Sequence, residues 1–253
     1  MIKIILLCAG YATRLYPLTM NQPKPLLPIA GRPMLEYVLD QVKMIDDVAA
    51  VYAVTNRKFS GHFKAWARKV SYPWPLGIID DQTTSNEDRL GAIGDLHYVL
   101  KMKNIAEEDI VAISGDNLFD FDLKSFITKA RLKRPHAVIA AFDVKNLELA
   151  KQYGLLRLDD KDGRVIEFLE KPENPTTTIA SCGIYWLPRE TLVLLDRYLK
   201  DGHNADQPGH YMRWLAQQKA LYGVPLQGRW FDIGDLNSYK EADALHLRMQ
   251  EKS

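Results

Sequence analysis

Short, continuous apolar runs separated by stretches of helical periodicity dominate the first half of this chain. A strand that is apolar on both sides must be covered on both sides, so the pattern predicts an α/β protein with a mostly parallel sheet and helices on both faces. The strands expected are Ile2 to Leu7, Val48 to Thr55, Leu76 to Ile79, Ile110 to Ser114 and Ala137 to Phe142. Helices fit between them at Pro33 to Ile45, Lys58 to Lys69, Asp88 to Met102 and Leu123 to Leu132. Pro33 suits a first helical position, where its missing donor would be unpaired anyway.

The second half changes character. "YGLLRLDDKDGRVIEFLEKP" alternates like a hairpin around Asp162-Gly163, and "IASCGIYWLP" reads as another strand. Helices are expected at Arg189 to Leu199, at Tyr211 to Gln218 and from Leu236 toward Gln250. With no repeat, low-complexity tract or linker, one domain over 1–253 with a β-rich annex is the economical reading.

At 253 residues the chain can bury a sizeable core, and its net charge of +1 gives no general attraction to nucleic acid or anionic membrane. Any phosphate it handles must be held by local cations. The apolar start "MIKIILLCAG" is a run of about five residues, short of the roughly 7–15 of a signal-peptide core. No run approaches the roughly 18 residues of a membrane span. Two cysteines, Cys8 and Cys182, make neither a disulfide framework nor a metal knot, so a cytoplasmic location is expected.

After the first strand comes "CAGYATRLYPLTMNQPKPLLPIAGRP", about two dozen residues of loop where most α/β units turn directly into a helix. Open α/β sheets bind ligands at the carboxyl ends of their strands. Gly10, Ala12 and Thr13 allow close backbone approach, Arg14 follows, and Lys24 is presented between Pro23 and Pro25, which stiffen the chain around it. Neither GxGxxG nor GxxxxGK[ST] occurs, against the two commonest phosphate loops. Farther on, "ISGDNLFD" puts Asp116 just past a buried strand, and "GRWFDIGD" sets Asp232 among apolar residues, where a carboxylate must be paired, hydrogen-bonded or metal-bound. Two such carboxylates suit Mg²⁺, which typically takes one or two and fills its shell with water and phosphate.

The stretch "AGYATRLYPLTMNQPKPLLP" resembles the signature of the sugar-phosphate nucleotidyltransferases, glucose-1-phosphate thymidylyl- and uridylyltransferases among them, with Tyr11-Ala12 at the second glycine of the family pattern. "EKP" at Glu170-Lys171, "YGLLRLDDKDG" and the WxDxG-like "WFDIG" extend the resemblance over nearly the whole chain in family order. It implies the nucleotide-diphospho-sugar transferase fold, Rossmann-like, with a nucleotide-binding part at about 1–135, a sugar-phosphate part at about 136–235 and a final helix at about 236–250. Implied catalytic residues are Arg14 and Lys24, and implied nucleotide contacts are Ala9, Gly10, Tyr11, Ala12, Thr13, Gln82, Thr83, Arg89 and Gly91. Tyr153, Gly154, Glu170, Lys171 and Gly183 would take the sugar phosphate, and Asp116 and Asp232 would hold Mg²⁺.

The implied reaction transfers a nucleoside monophosphate from a triphosphate, dTTP or UTP foremost, to a sugar 1-phosphate such as glucose 1-phosphate, releasing pyrophosphate. No nucleic acid polymer or membrane partner is implied, and a homo-oligomer is allowed. Three other readings stay open: a CTP-dependent cytidylyltransferase of a sugar phosphate or other phosphorylated alcohol, a metal-dependent glycosyltransferase using "FDFD" (Asp120, Asp122), and a non-catalytic nucleotide-sugar-binding regulator. Asp235 is a substitute metal ligand or the cap of the last helix, and Arg89 either meets nucleotide or caps a solvated helix face. His203, His210 and the tryptophans Trp66, Trp74, Trp186 and Trp214 read as structural. The chain stops soon after "DIGDLNSYKEADALHLRMQEKS", so no appended β-helix is expected.

Overall fold

The computed structural model describes residues 1–218 and 220–250. In strand β1 (Ile2–Leu7), Ile4 and Leu6 enter the core on one face and Ile5 on the other, so the sheet must be covered twice. The chain then makes two short 3-10 turns, Thr13–Leu15 and Lys24–Leu26, and a small ribbon of β2 (Pro28–Ile29) with β3 (Arg32–Pro33). Next come α1 (Met34–Lys43), β4 (Val48–Thr55), α2 (Arg57–Ala67), β5 (Leu76–Asp80), α3 (Gly91–Lys103), β6 (Asp109–Ser114), β7 (Asn117–Phe119), α4 (Leu123–Arg131) and β8 (Ala137–Asp143). The second half supplies α5 (Leu147–Ala150), β9 (Gly154–Leu158), β10 (Val165–Glu170), β11 (Ile179–Leu187), α6 (Arg189–Lys200), α7 (Pro208–Gln217), β12 (Leu221–Pro225), β13 (Trp230–Asp232) and α8 (Leu236–Gln250).

Strands β5, β4, β1 and β6 lie side by side and parallel, so Asp80, Thr55, Leu7 and Ser114 end on one edge. Antiparallel β11 continues the sheet from β6, followed by β8 and its parallel neighbour β12, while the β9–β10 hairpin joins at the start of β11. Strands β9 to β12 of the second half thus belong to the same nine-stranded sheet as β1, β4, β5, β6 and β8 of the first, while β7 pairs with β13 and β2 with β3 in separate two-stranded ribbons. One core is built against α1, α2 and α4 by Leu35, Val38, Phe59, Phe63 and Phe126. The other is built against α3, α6 and α7 by Leu96, Val99, Leu195, Tyr211 and Leu215. Each such buried side chain stabilises the fold by roughly 1.5–3 kcal/mol relative to exposure.

Four helix starts differ from the sequence reading: α2 begins at Arg57, one residue before Lys58, and α7 at Pro208, three before Tyr211, while α1 and α3 begin later for local reasons. Pro33 stands just before α1 with extended backbone and pairs with Pro28 across the β2–β3 ribbon. Asp88 opens no helix: its carboxylate accepts from the backbone N–H groups of Thr84 and Ser85 and so closes a turn. Helix α3 begins at Gly91, whose φ of +77° only glycine adopts freely. Among the described residues no helix is long and apolar enough to cross a membrane.

Candidate active site

The loop after β1 is held by its own polar groups. Ala12 sits in the left-handed region at φ 48°, at a cost of about 1 kcal/mol for a non-glycine residue, and Thr19 Oγ1 donates to its carbonyl at 2.8 Å. Asn56 ties the loop to the next strand: its Nδ2 donates to the Ala9 carbonyl at 2.8 Å while its Oδ1 accepts from Phe59 N at 3.1 Å, capping α2. Arg14 projects from the first 3-10 turn, is exposed, and makes no ion pair among the described residues. Lys24, on the second turn, is only 6% exposed, and its Nζ lies 2.7 Å from Asp116 Oδ2.

Asp232 reaches this place by a pairing between segments remote in sequence. Strands β7 and β13 form an antiparallel ribbon with Asp232 opposite Asn117, which brings the two carboxylates together at the carboxyl end of β6. Burial and the negative charge of Asp116 push Asp232 up to about 6, opposed by Lys24, Arg14 and Lys171. One rim therefore carries two carboxylates and three cations from five distant points of the chain.

Two adjoining cavities meet along Arg14, Ser114, Asp116, Pro208 and Gly234. The first, about 320 Å³, is lined by residues 7–12, Lys24, Arg89, Gly91 and Asp95. The second, about 730 Å³, is lined by Tyr153, Gly154, Glu170, Lys171, Gly183, Trp230 and Asp232. The predicted phosphate, metal and sugar residues thus share one cleft. Gln82 and Thr83 do not line it; Gln82 is exposed, and Thr83 is buried against Asp81 and Tyr11. Thr13 is likewise outside the lining.

Arg89 lines the first cavity while forming a two-point pair with Asp206, Nε to Oδ1 at 2.9 Å and Nη2 to Oδ2 at 2.8 Å. Residues 205–206 also cap α3, their carbonyls accepting from Ile93 N and Ala92 N. A methyl on Gly91 would collide with the backbone of Asp206 in an already left-handed conformation. We expect Gly91→Ala to lower stability by about 2–3 kcal/mol, read as a reduced midpoint of urea unfolding.

In the second cavity the Glu170 carboxylate has no hydrogen-bond partner among the described residues and is raised by burial, against Lys171 and His210. It fits between Gly154 and Gly209, where no side chain stands in its way. Gly183, at φ +68°, keeps Ser114 and Asn117 free of a clashing Cβ. Tyr153 packs against Trp230 at 4.9 Å between ring centres, and burial beside Asp232 and Asp235 pushes its hydroxyl up to about 12. Trp230, Asn117 and Gly209 line this cavity, and the sequence reading did not single them out.

Several competing assignments are absorbed by local structure. Asp120 pairs with Arg229 and Asp122 caps α4 through Ser125 N at 2.9 Å, so "FDFD" performs structural work. Asp235 accepts from Asn237 N and Ser238 N and caps α8. Cys8 and Cys182 are buried free thiols. Trp66, Trp74 and Trp186 are buried in the core.

Parallel strands that end on a cleft walled by a guanidinium, ammonium groups and two carboxylates define an α/β protein built to handle phosphates. The sequence profile of the Nucleotidyl transferase family matches residues 3–248, and the chain belongs to that family. It is similar to the Bifunctional protein GlmU of Methanocaldococcus jannaschii, 31% identical over 231 residues that make up 91% of this chain and 50% of that protein. It is also similar to the UTP–glucose-1-phosphate uridylyltransferase of Synechocystis, 28% identical over 250 residues, 95% of this chain and 62% of the relative. The chain spans about half the length of the first curated relatives it matches. A solved UDP-glucose pyrophosphorylase in complex with UDP-glucose superposes with a TM-score of 0.81 at 22% identity, over 98% of this chain and 100% of that one. The shared fold is that of the nucleotide-diphospho-sugar transferases.

Proposed function

We propose that this protein transfers a nucleoside monophosphate from a nucleoside triphosphate to a sugar 1-phosphate, releasing pyrophosphate. The observation that carries this reading is the single cleft made of two cavities that meet at Arg14 and Asp116. The nucleotide would occupy the cavity under residues 9–12 and the sugar phosphate the cavity around Glu170, so their phosphates would meet between them. UTP or dTTP with glucose 1-phosphate is the first pair to test, the choice of UTP being in keeping with the names of the uridylyltransferase relative and of the structural neighbour.

Such a reaction forms a bond from an oxygen of the sugar phosphate to the α-phosphorus and breaks the bond from that phosphorus to the α–β bridging oxygen. The attacking phosphate has a second pKa near 6, so it is largely dianionic at neutral pH and needs no general base. The obstacle is the approach of one anion to another, which positioned cations relieve. Arg14 would stabilise the transferring and leaving phosphates, Lys24 the α-phosphate and Lys171 the incoming one. Glu170 would accept hydrogen bonds from sugar hydroxyls, with Tyr153, Gly154 and Gly183 shaping the pocket.

The donor set fits a divalent cation. Asp116 and Asp232 are hard oxygen ligands close enough to repel one another, and only one oxygen of Asp116 is engaged by Lys24. Mg²⁺ bound there would neutralise phosphate charge. Asp116→Asn and Asp232→Asn are expected to raise the Mg²⁺ concentration for half-maximal rate at least about tenfold, on the scale of altered metal sites. Magnesium titration, with circular dichroism as a control on folding, checks this.

The function itself is tested by mixing each common nucleoside triphosphate with a panel of sugar 1-phosphates and measuring pyrophosphate. Release that requires both substrates supports the reading. Absence of release from every pair, with binding of nucleotide sugars retained, would overturn it in favour of a non-catalytic binder.

A further inference from the structure

Below the first cavity lie two carboxylates that the proposed chemistry does not use. Asp81, just past β5, is 3% exposed, and Asp95, on α3, is 5% exposed. They lie within hydrogen-bonding reach of one another, and neither makes an ion pair among the described residues. Asp81 Oδ2 and Asp95 Oδ1 are both buried without a donor. Two adjacent buried carboxylates without a cation are too costly to ionise together.

The direction of the remaining bonds fixes where a proton would sit. Asp81 Oδ1 accepts twice from Thr83, from its N–H at 2.7 Å and its hydroxyl at 2.8 Å, so Asp81 is the anionic partner. Its other oxygen is left for Asp95, the acid. Because the Thr83 hydroxyl is spent on Asp81, the contact at 3.4 Å between Thr83 Oγ1 and Tyr11 Oη has the tyrosine as donor. Tyr11 and Asp95 both line the first cavity, one from the loop after β1 and one from α3.

We propose that Asp81 and Asp95 hold one proton between them, and that this pair, acting through Thr83, positions Tyr11 and the floor of the cavity for the nucleoside triphosphate. The proposal rests on the assignment of that cavity to the nucleotide. Asp95 is a positioning residue, not one that meets the reacting phosphates.

Burial and the Asp81 charge raise Asp95 to about 8. The other groups facing the pair are Asp80 beside Asp81, Asp206 across from α3, the buried thiol of Cys8, and Tyr11 itself. Two arginines of this region pair with the flanking carboxylates, Arg89 with Asp206 and Arg57 with Asp80. The folded protein therefore keeps a proton that the unfolded chain releases near 3.8, so the pair's contribution to stability declines as pH rises from there through about 8. Over the upper part of that interval a second negative charge appears under the cavity, which repels a triphosphate.

The test combines carboxyl-carbon NMR of Asp-labelled protein with calorimetric binding of UTP and of dTTP, each with Mg²⁺, from pH 6.5 to 9.5. The expected result is one aspartate resonance that titrates between pH 7 and 9 and is lost in D95N, with Kd rising about tenfold over the same interval. In D95N, where an amide replaces the acid and no proton is left to lose, Kd should change less than about twofold with pH; in D81N, which removes the neighbouring charge and leaves Asp95 buried, the transition should move to lower pH. Two variants guard against one that fails to fold. Ionisation of both carboxylates already at pH 6.5, or a tenfold rise that persists in D95N, would overturn the proposal while leaving nucleotidyl transfer standing. Failure of both UTP and dTTP to bind at pH 6.5 would instead overturn the nucleotide reading of the cavity for these triphosphates, and the positioning role with it.

Discussion

Replacing Arg14 by Ala should lower turnover at least about 100-fold, or about 2.7 kcal/mol of transition-state stabilisation, the scale seen when one preorganised donor is removed. Arg14 borders both cavities and has no ion-pair partner among the described residues, so its charge is available to a phosphate. Lys24 cannot substitute, because it is buried on Asp116 at the rim of the first cavity. Arg14→Lys should recover only part of the loss, since a point charge lacks the two-pronged geometry of guanidinium. The side chain is exposed, so the unfolding midpoint should stay near that of the parent. Pyrophosphate release under saturating substrates measures the effect, and turnover of Arg14→Ala within tenfold of the parent would remove Arg14 from the reaction.

The boundaries of β1 and β4 were legible because their runs are apolar apart from Lys3 near the start of β1 and Thr55 at the end of β4, and both end at loops. Arg14, Lys24, Asp116, Lys171 and Asp232 were legible as a set because each stands in a short motif resembling the family's. The β7–β13 ribbon was not: each strand has three residues, and its partners are more than a hundred residues apart, so neither periodicity nor a turn signal announces the pairing. Trp230 escaped for the same reason, since only that ribbon brings it onto Tyr153.

Asp95 was hidden by a different effect. An aspartate within "LGAIGDLHYVL" suggests a solvated helix face, yet α3 packs against the sheet with residues 205–206 over its first turn, and the side chain is enclosed. Gln82 shows the converse. Its place after β5 suggested contact with a base, but at φ 73° it turns back, Nε2 donating to the Asp80 carbonyl at 3.0 Å. In both cases the outcome depends on what the fold brings alongside, which local sequence does not carry.

Gly209→Ala should cut kcat/KM for the sugar phosphate about 100-fold while the protein folds normally. A methyl at this position would overlap the Glu170 carboxylate and come 3.2 Å from the Phe168 ring. Glu170 is the flexible partner, so the chain can accommodate the methyl by moving that carboxylate out of its seat. Position 209 lies in the first turn of α7, where alanine is a better helix former than glycine, so stability should not fall. The loss should come in KM for the acceptor more than in turnover, because Glu170 is proposed to hold sugar hydroxyls and not the reacting phosphates. A double-mutant cycle decides the cause: if the methyl acts only by displacing the carboxylate, Gly209→Ala on a Glu170→Ala background should cost less than about threefold. A full 100-fold loss on that background would show that the methyl acts independently of Glu170, and Glu170→Ala alone with unchanged KM for the acceptor would show that the carboxylate does not hold it.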